Sequence, residues 1–252
     1  MATMAAMPRT VDRLLQACGL VAPVAFTAAW VAASARQPGY SIVNEHISGL
    51  AAPDARAPAV MTAGFWALGL GTVAFAAALD RRTEGDSIGP ALLGASGIAI
   101  CAAGMLRRDR MSNWPMPDES LGRQTWVNDA HDLASVLGHV TATAGLLALA
   151  RRLRRDPGLH DLAGPAAGAA IASSGVMSYF ARDVVRPGNG IVQRAGISIP
   201  LGFTARLAWR LLRERPPGAE SQPGQPSSSS GTAARVRSTS TPIAATRSSI
   251  EE

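Results

Sequence analysis

The sequence predicts an all-α fold, a polytopic transmembrane bundle of six helices with both termini cytoplasmic, and three observations predict it. Of 252 residues, 47% are hydrophobic and only 17% charged, and the apolar residues gather in blocks between polar connectors, the pattern of a multi-span membrane chain rather than a soluble core. The clearest block lies in WVNDAHDLASVLGHVTATAGLLALARRLRR, Trp126 to Arg155, which is nearly uncharged from Leu133 to Ala150 and stops at Arg151, Arg152, Arg154 and Arg155. Residues 131–150 span about 30 Å at helical rise, the thickness of a bilayer's hydrocarbon core. Arginines also cluster at Arg9/Arg13, Arg81/Arg82 and Arg210/Arg213/Arg215. Such clusters mark every second connection as cytoplasmic, because positive short loops stay inside.

Residues 1–13 form a short cytoplasmic head before the first apolar run, 14–34. A signal peptide cleaved at Ala33-Ser34-Ala35 is the alternative, but the run exceeds the usual signal core of about 7–15 residues. The outer loop that follows contains YSIVNEHISGL, in which Val43, Ile47 and Leu50 oppose Ser41, Asn44, Glu45 and Ser48. This spacing predicts a short amphipathic helix, either lying in the interface or turning Glu45 and Asn44 over the mouth of the bundle. Helix two, 59–79, ends at Asp80-Arg81-Arg82, and a short connector leads to helix three, 88–106. Helix three is rich in small residues, among them Gly94, Ser96, Gly97 and Gly104, which let backbones approach closely in lipid.

The loop from Arg107 to Ala130 lies outside by alternation, and its arginines are matched by Asp109, Asp118, Glu119 and Asp129. Trp114 and Trp126 near its ends suit an interfacial belt. Helix four is 131–150, with Asn128 or Asp129 as expected cap. Helix five is 162–181, whose Gly164 and Gly168 form a GxxxG expected to pack tightly on a neighbour. Helix six, 191–212, carries Gln193 and Arg194 in its first turn and Pro200 near its middle. The tail, 213–252, has no sustained apolar periodicity and is expected to be disordered.

The +6 net charge points to anionic lipid headgroups rather than nucleic acid in such a chain. Cys18 and Cys101 fall inside predicted helices and read as small apolar fillers, not as a disulfide or zinc pair. With this topology Glu45, Asp109, His131, Asp132 and Arg194 all belong to the outer end, and ionisable groups at a membrane rim tend to pair and mark a site. Ser135 stands four residues from both His131 and His139, so a polar ladder runs about 12 Å down helix four. It faces a cavity, or supplies two imidazoles of a metal site completed by Glu45 or Asp109, or simply hydrogen-bonds a neighbouring helix. Asp132 fits the positive first turn of helix four. No phosphate loop, nucleophile elbow or CxxC pair appears, and no cofactor is named by the sequence.

The stretch GYSIVNEHISGLAAPDARAPAVMTAGFWALGLG, the acidic Asp109 after helix three, the His131-Asp132 pair and GIVQR opening helix six together resemble the bacterial membrane family called domain of unknown function 998, over residues 14–212. The resemblance implies a six-helix integral membrane protein without an assigned activity. It also implies Ser48, Asp109, His131, Asp132, Gln193 and Arg194 as its recurring polar positions. RRDRMSNWPMPDES stands where a shorter acidic segment is expected, which bears on Asp109. The reading that follows is a multi-pass protein of the cell membrane whose outer rim, with ligand-binding residues Glu45, Asp109, His131, Asp132, Gln193 and Arg194, binds or moves a small polar or lipid-headgroup ligand. A membrane-embedded metal-dependent lipid hydrolase and a structural or assembly subunit are the alternatives. Expected partners are membrane lipids, a small-molecule or lipid ligand and a second copy of the chain.

Overall fold

A computed structural model describes residues 8–82, 87–109, 125–184 and 186–214. They form six long helices, α1 (Arg9–Arg36), α2 (Pro58–Arg82), α3 (Ile88–Met105), α4 (Trp126–Leu153), α5 (Ala163–Arg182) and α6 (Asn189–Arg213). Short 3-10 turns at Ile47–Ala51 and His160–Leu162 precede α2 and α5. Among the described residues there is no strand. Four of the helices, α1 to α4, are long and apolar enough to cross a membrane. The expected tail falls in the separate unit 215–252, outside the described residues, as does most of the long loop before α4.

Each helix packs on the next in chain order, and α6 returns to α1, so the helices close a ring. The closing pair is antiparallel: Arg13 of α1 donates to the Leu212 carbonyl at one end (3.0 Å), while at the other the Arg194 guanidinium lies 5.1 Å from the Trp30 ring centroid. Small residues set the close crossings. A Cβ on Gly97 would fall 2.5 Å from the Gly69 carbonyl oxygen across the α2–α3 interface, a distance only glycine permits. Ser96 of α3 donates to the Gly138 carbonyl of α4 at 2.7 Å.

Pro200 sits inside α6, and its missing N–H would leave the Gly196 carbonyl, one turn back, without a partner. Ser173 of α5 donates to that carbonyl at 2.6 Å, so the break in the ladder becomes an interhelical bond. Two apolar clusters fill the ring. One, around Phe75, Leu146, Leu149, Leu162 and Leu207, lies toward the arginine-rich end. The other, around Phe26, Met61, Phe65 and Leu68, lies toward the opposite end and takes in Ile47, Leu50 and Ala51 from the α1–α2 connection.

Two local expectations are corrected. The amphipathic helix expected over 41–50 is reduced to the 3-10 turn Ile47–Ala51, with Ile47 and Leu50 buried. Val43 is 48% exposed while Ser48 is buried, because the Ile42, Val43 and Glu45 carbonyls are taken by α6 rather than by a helix of their own. Among the described residues, the GxxxG of α5 does not pack on a neighbour. Cβ atoms at Gly164 and Gly168 would meet nothing within 4 Å, and α5 instead uses Ala166, Ala170 and Ser173 against the ring.

Candidate functional site

Three connections, 37–57, 106–109 and 183–188, emerge at the same end of the ring and are hydrogen-bonded to one another. Two networks do this. The first is a clamp centred on Arg194, in the second turn of α6 and only 6% exposed. Its Nη1 donates to the carbonyls of Ile42 (2.8 Å), Glu45 (2.8 Å) and Gly190 (2.9 Å). Its Nη2 donates to the Tyr40 hydroxyl, which itself donates to the His46 carbonyl at 2.9 Å. Gln193 accepts from the Ile47 amide at 2.9 Å, and the Ile191 amide donates to the Val43 carbonyl at 3.0 Å. Asn44 accepts from the Gly188 amide at 2.8 Å.

No carboxylate comes within ion-pair distance of Arg194 among the described residues. Its charge is stabilised by three carbonyl dipoles, a hydroxyl and the faces of Trp30 and Tyr40, and its buried Nε has no hydrogen-bond partner. Burial raises the Tyr40 hydroxyl and the Glu45 carboxyl above their ordinary pKa values, against the lowering pull of Arg194. The Glu45 carboxylate accepts from the Ser41 amide at 2.9 Å and so holds its own turn.

The second network joins α3, α4 and the same loop. Thr125 caps α4, accepting from the Asn128 amide; Asn128 and Asp129, the expected caps, are not used so, because the helix starts at Trp126. Thr125 binds the Asp109 carboxylate through both its amide (2.8 Å) and its hydroxyl (2.6 Å). Asn128 accepts from the Asp109 amide and from Arg108 Nε, and donates to Asp132 at 3.1 Å. Asp132 therefore answers Asn128 and Arg108, 3.7 Å away, rather than the amides of its helix's first turn.

Arg108 carries this network to His46. Its Nη1 lies 3.0 Å from His46 Nδ1, and since a guanidinium only donates, Nδ1 is the acceptor. The proton then sits on Nε2, which donates to the Val184 carbonyl at 3.1 Å. Burial, and next the nearby Arg108 charge, push the His46 pKa down to about 3. In the unfolded chain the ring protonates near 6.5, so its contribution to stability is complete above about pH 6.5 and is lost as pH falls toward 3. Thermal unfolding in detergent is expected to show a steeper loss across that window in the parent than in a His46→Gln variant. Equal slopes would contradict the assignment. Glu45, raised by burial, acts in the opposite direction and is common to both proteins.

His131 is 1% exposed, and its Nδ1 faces the carbonyls of Ala103 (2.8 Å) and Leu106 (2.7 Å). Both are acceptors, so Nδ1 carries the proton and caps the last turn of α3. Among the described residues no group of three His, Cys, Asp or Glu side chains could hold a metal ion, and the metal reading of His131 and His139 gains no third ligand. The predicted residues thus divide: Glu45, Gln193 and Arg194 share the clamp, Asp109 and Asp132 share the α3–α4 network, and His131 serves the α3 terminus. Tyr40, His46, Arg108 and Thr125 are not singled out by the sequence, and Asn128 only as a cap. The only signal for them was position within the same two connections.

Beneath this rim lies a cavity of about 140 Å³ lined from α1, α2, α3, α4 and α6. Ile197, one turn below Arg194, and Phe65, whose ring packs edge-on against His131 at 6.1 Å, both line it.

A family model described as a protein of unknown function (DUF998) matches residues 20–210. No curated protein and no solved structure matches the chain.

Proposed function

The chain belongs to the DUF998 family of proteins of unknown function, and from that premise we propose a six-span protein of the cell membrane, termini cytoplasmic, that binds a small anionic or lipid-headgroup ligand at its outer rim. The rim clamp is then a latch. The observation that carries this reading is the state of Arg194, a buried guanidinium answered among the described residues by neutral acceptors and aromatic faces, with Nε unused. A phosphate or carboxylate offers a guanidinium a full negative charge and two oxygens for a bidentate pair, which a neutral carbonyl does not. An anion reaching the clamp therefore competes with the Ile42 and Glu45 carbonyls and frees the loop they belong to. Gln193 and Glu45 flank the exchange.

The orientation rests on arginine placement. Arg13, Arg82 and Arg210 stand at the end opposite the rim, where Arg82 pairs with Glu214 at 2.6 Å and Arg210 with Asp161 at 3.3 Å. Such ends stay in the cytoplasm. α6 is 25 residues long and closes the ring between α5 and α1, which supports counting it and α5 as spans although their composition is less apolar. Single cysteines at Pro53 and Pro187, in a background lacking Cys18 and Cys101, are expected to react with an impermeant maleimide from outside intact cells. One at Pro157 should react only after permeabilisation. The reverse pattern would put the rim in the cytoplasm.

The ligand reading is tested by thermal unfolding of the protein in nanodiscs of phosphatidylglycerol against phosphatidylcholine. The expected result is stabilisation by the anionic lipid that is lost in Arg194→Lys, which keeps the charge but not the fork. Equal stabilisation in both proteins would remove the ligand role and leave the rim a purely structural device, the reading favoured by how fully its side chains are already bonded.

A further inference from the structure

The cavity below the rim has a lining unlike that of the rim. Among the described residues, no Asp, Glu, Arg or Lys faces it. Three of its four hydroxyls are spent locally: Thr72 donates to the Leu68 carbonyl (2.7 Å), Thr204 to that of Pro200 (2.9 Å) and Ser96 to that of Gly138 (2.7 Å); the fourth, Ser135, belongs to an exposed residue. The rest of the wall is apolar, with Phe26, Phe65, Ile100, Ala142 and Leu201 representing the five helices.

Among the described residues, one buried polar atom in this wall is left over. Nε2 of His139 is buried and makes no hydrogen bond. His139 lies two turns below His131 on α4, about 12 Å farther along the axis, at a depth where bulk water does not supply the missing partner. A buried imidazole nitrogen without a partner is a standing cost, and an occupant with a matching group removes it.

The cavity is also open sideways. Ser135 lines it yet is exposed, and the neighbouring outward residues of α4 are apolar: Leu133 at 59%, Val136 at 58% and Val140 at 53% exposed. An opening bordered by such residues on an apolar helix faces lipid, not water. The volume, about 140 Å³, is of the size that takes a benzene-like ring or a short run of hydrocarbon chain.

We propose that this cavity is a second ligand site, separate from the anion reading of the rim, that takes from the bilayer a long-chain alcohol or similar uncharged molecule whose single hydroxyl bonds His139 Nε2. The absence of any cation from the wall excludes phosphorylated headgroups from this position. Entry is lateral, past Ser135.

The test uses the full chain in nanodiscs and a long-chain alcohol carrying a diazirine near its hydroxyl, with its phosphate monoester as the comparison. Photolabelling is expected on peptides covering 135–142 and 197–204, to be competed away by unlabelled alcohol, and to be at least tenfold weaker with the phosphate ester. Ala142→Phe, which fills the space, should abolish it. His139→Ala should weaken it about tenfold, as loss of one hydrogen bond implies. Labelling spread evenly over lipid-facing residues, or undiminished by competitor, would overturn the site whether or not Ala142→Phe folds. Equal labelling by the phosphate ester would overturn the ligand class, and unchanged labelling of His139→Ala would overturn the role of the imidazole.

Discussion

Arg194→Ala is expected to be the most damaging single change at the rim. It leaves the carbonyls of Ile42, Glu45 and Gly190 and the hydroxyl of Tyr40 without their shared donor. Each buried polar group so stranded costs about 1–3 kcal/mol. Water admitted by the loosened loop recovers part of this, so the net loss should be about 3–5 kcal/mol, the range found when one partner of a buried charged network is removed. For a chain of this size that is a fall in melting temperature on the order of 10 °C. Arg194→Lys restores the charge and one donor but not the fork to Tyr40, and it should recover less than half of the loss. A melting temperature within about 2 °C of the parent for Arg194→Ala would mean that the loop is held without the Arg194 clamp.

Gly190→Ala should be nearly as costly, for a reason that opposes helix propensity. Gly190 is in the first turn of α6, where alanine would ordinarily gain about 0.5–1 kcal/mol. Here a Cβ would sit 2.6 Å from the Glu45 carbonyl oxygen, 2.7 Å from its amide nitrogen and 2.8 Å from the Ile42 oxygen. All three are backbone atoms, two of them carbonyls gripped by Arg194, so no side chain can swing aside. The loop must lift, and the expected cost is about 3 kcal/mol. Gly168→Ala is the control, since its Cβ meets nothing within 4 Å. It should be neutral or slightly stabilising by the same propensity. If both substitutions behave alike under thermal unfolding, the loop is not seated against α6 as described.

The helices were legible because the signals that bound them are local. Uncharged runs ending at Arg81-Arg82 and at Arg151-Arg152 mark two helix ends directly, and α2 and α3 run over Pro58–Arg82 and Ile88–Met105, where the sequence has its apolar blocks 59–79 and 88–106. The expected start of α4, residue 131, was late. Thr125, with Asn128 three residues on, is a cap whose polar first turn reads as loop when apolarity is the guide. Residues 41–50 misled for a different reason. Their spacing satisfies a helical template, yet their carbonyls are claimed by Arg194 and Ile191, about 150 positions away in sequence, and no pattern within the segment can report that. The same limit applies to the site. That Glu45, Gln193 and Arg194 share an end follows from counting helix crossings, whereas which partner each takes depends on side-chain geometry. His131 shows the difference: its place at the rim was readable, and its use as a cap on the α3 carbonyls was not. The GxxxG of α5 is a motif of composition, and composition does not say on which side of a helix the neighbour lies.

The rim depends on one contact set, the grip of α6 on the 40–47 backbone, and hydrogen exchange reads it directly. The amides of Glu45 and Ile47 are bonded in the folded rim, to the Ser41 carbonyl and to Gln193 respectively. In nanodiscs, peptides covering 40–48 should exchange slowly in the parent and at least tenfold faster in Arg194→Gln, with peptides from α2 and α3 unchanged in both. Fast exchange of 40–48 in the parent, or no difference between the two proteins, would contradict the clamp.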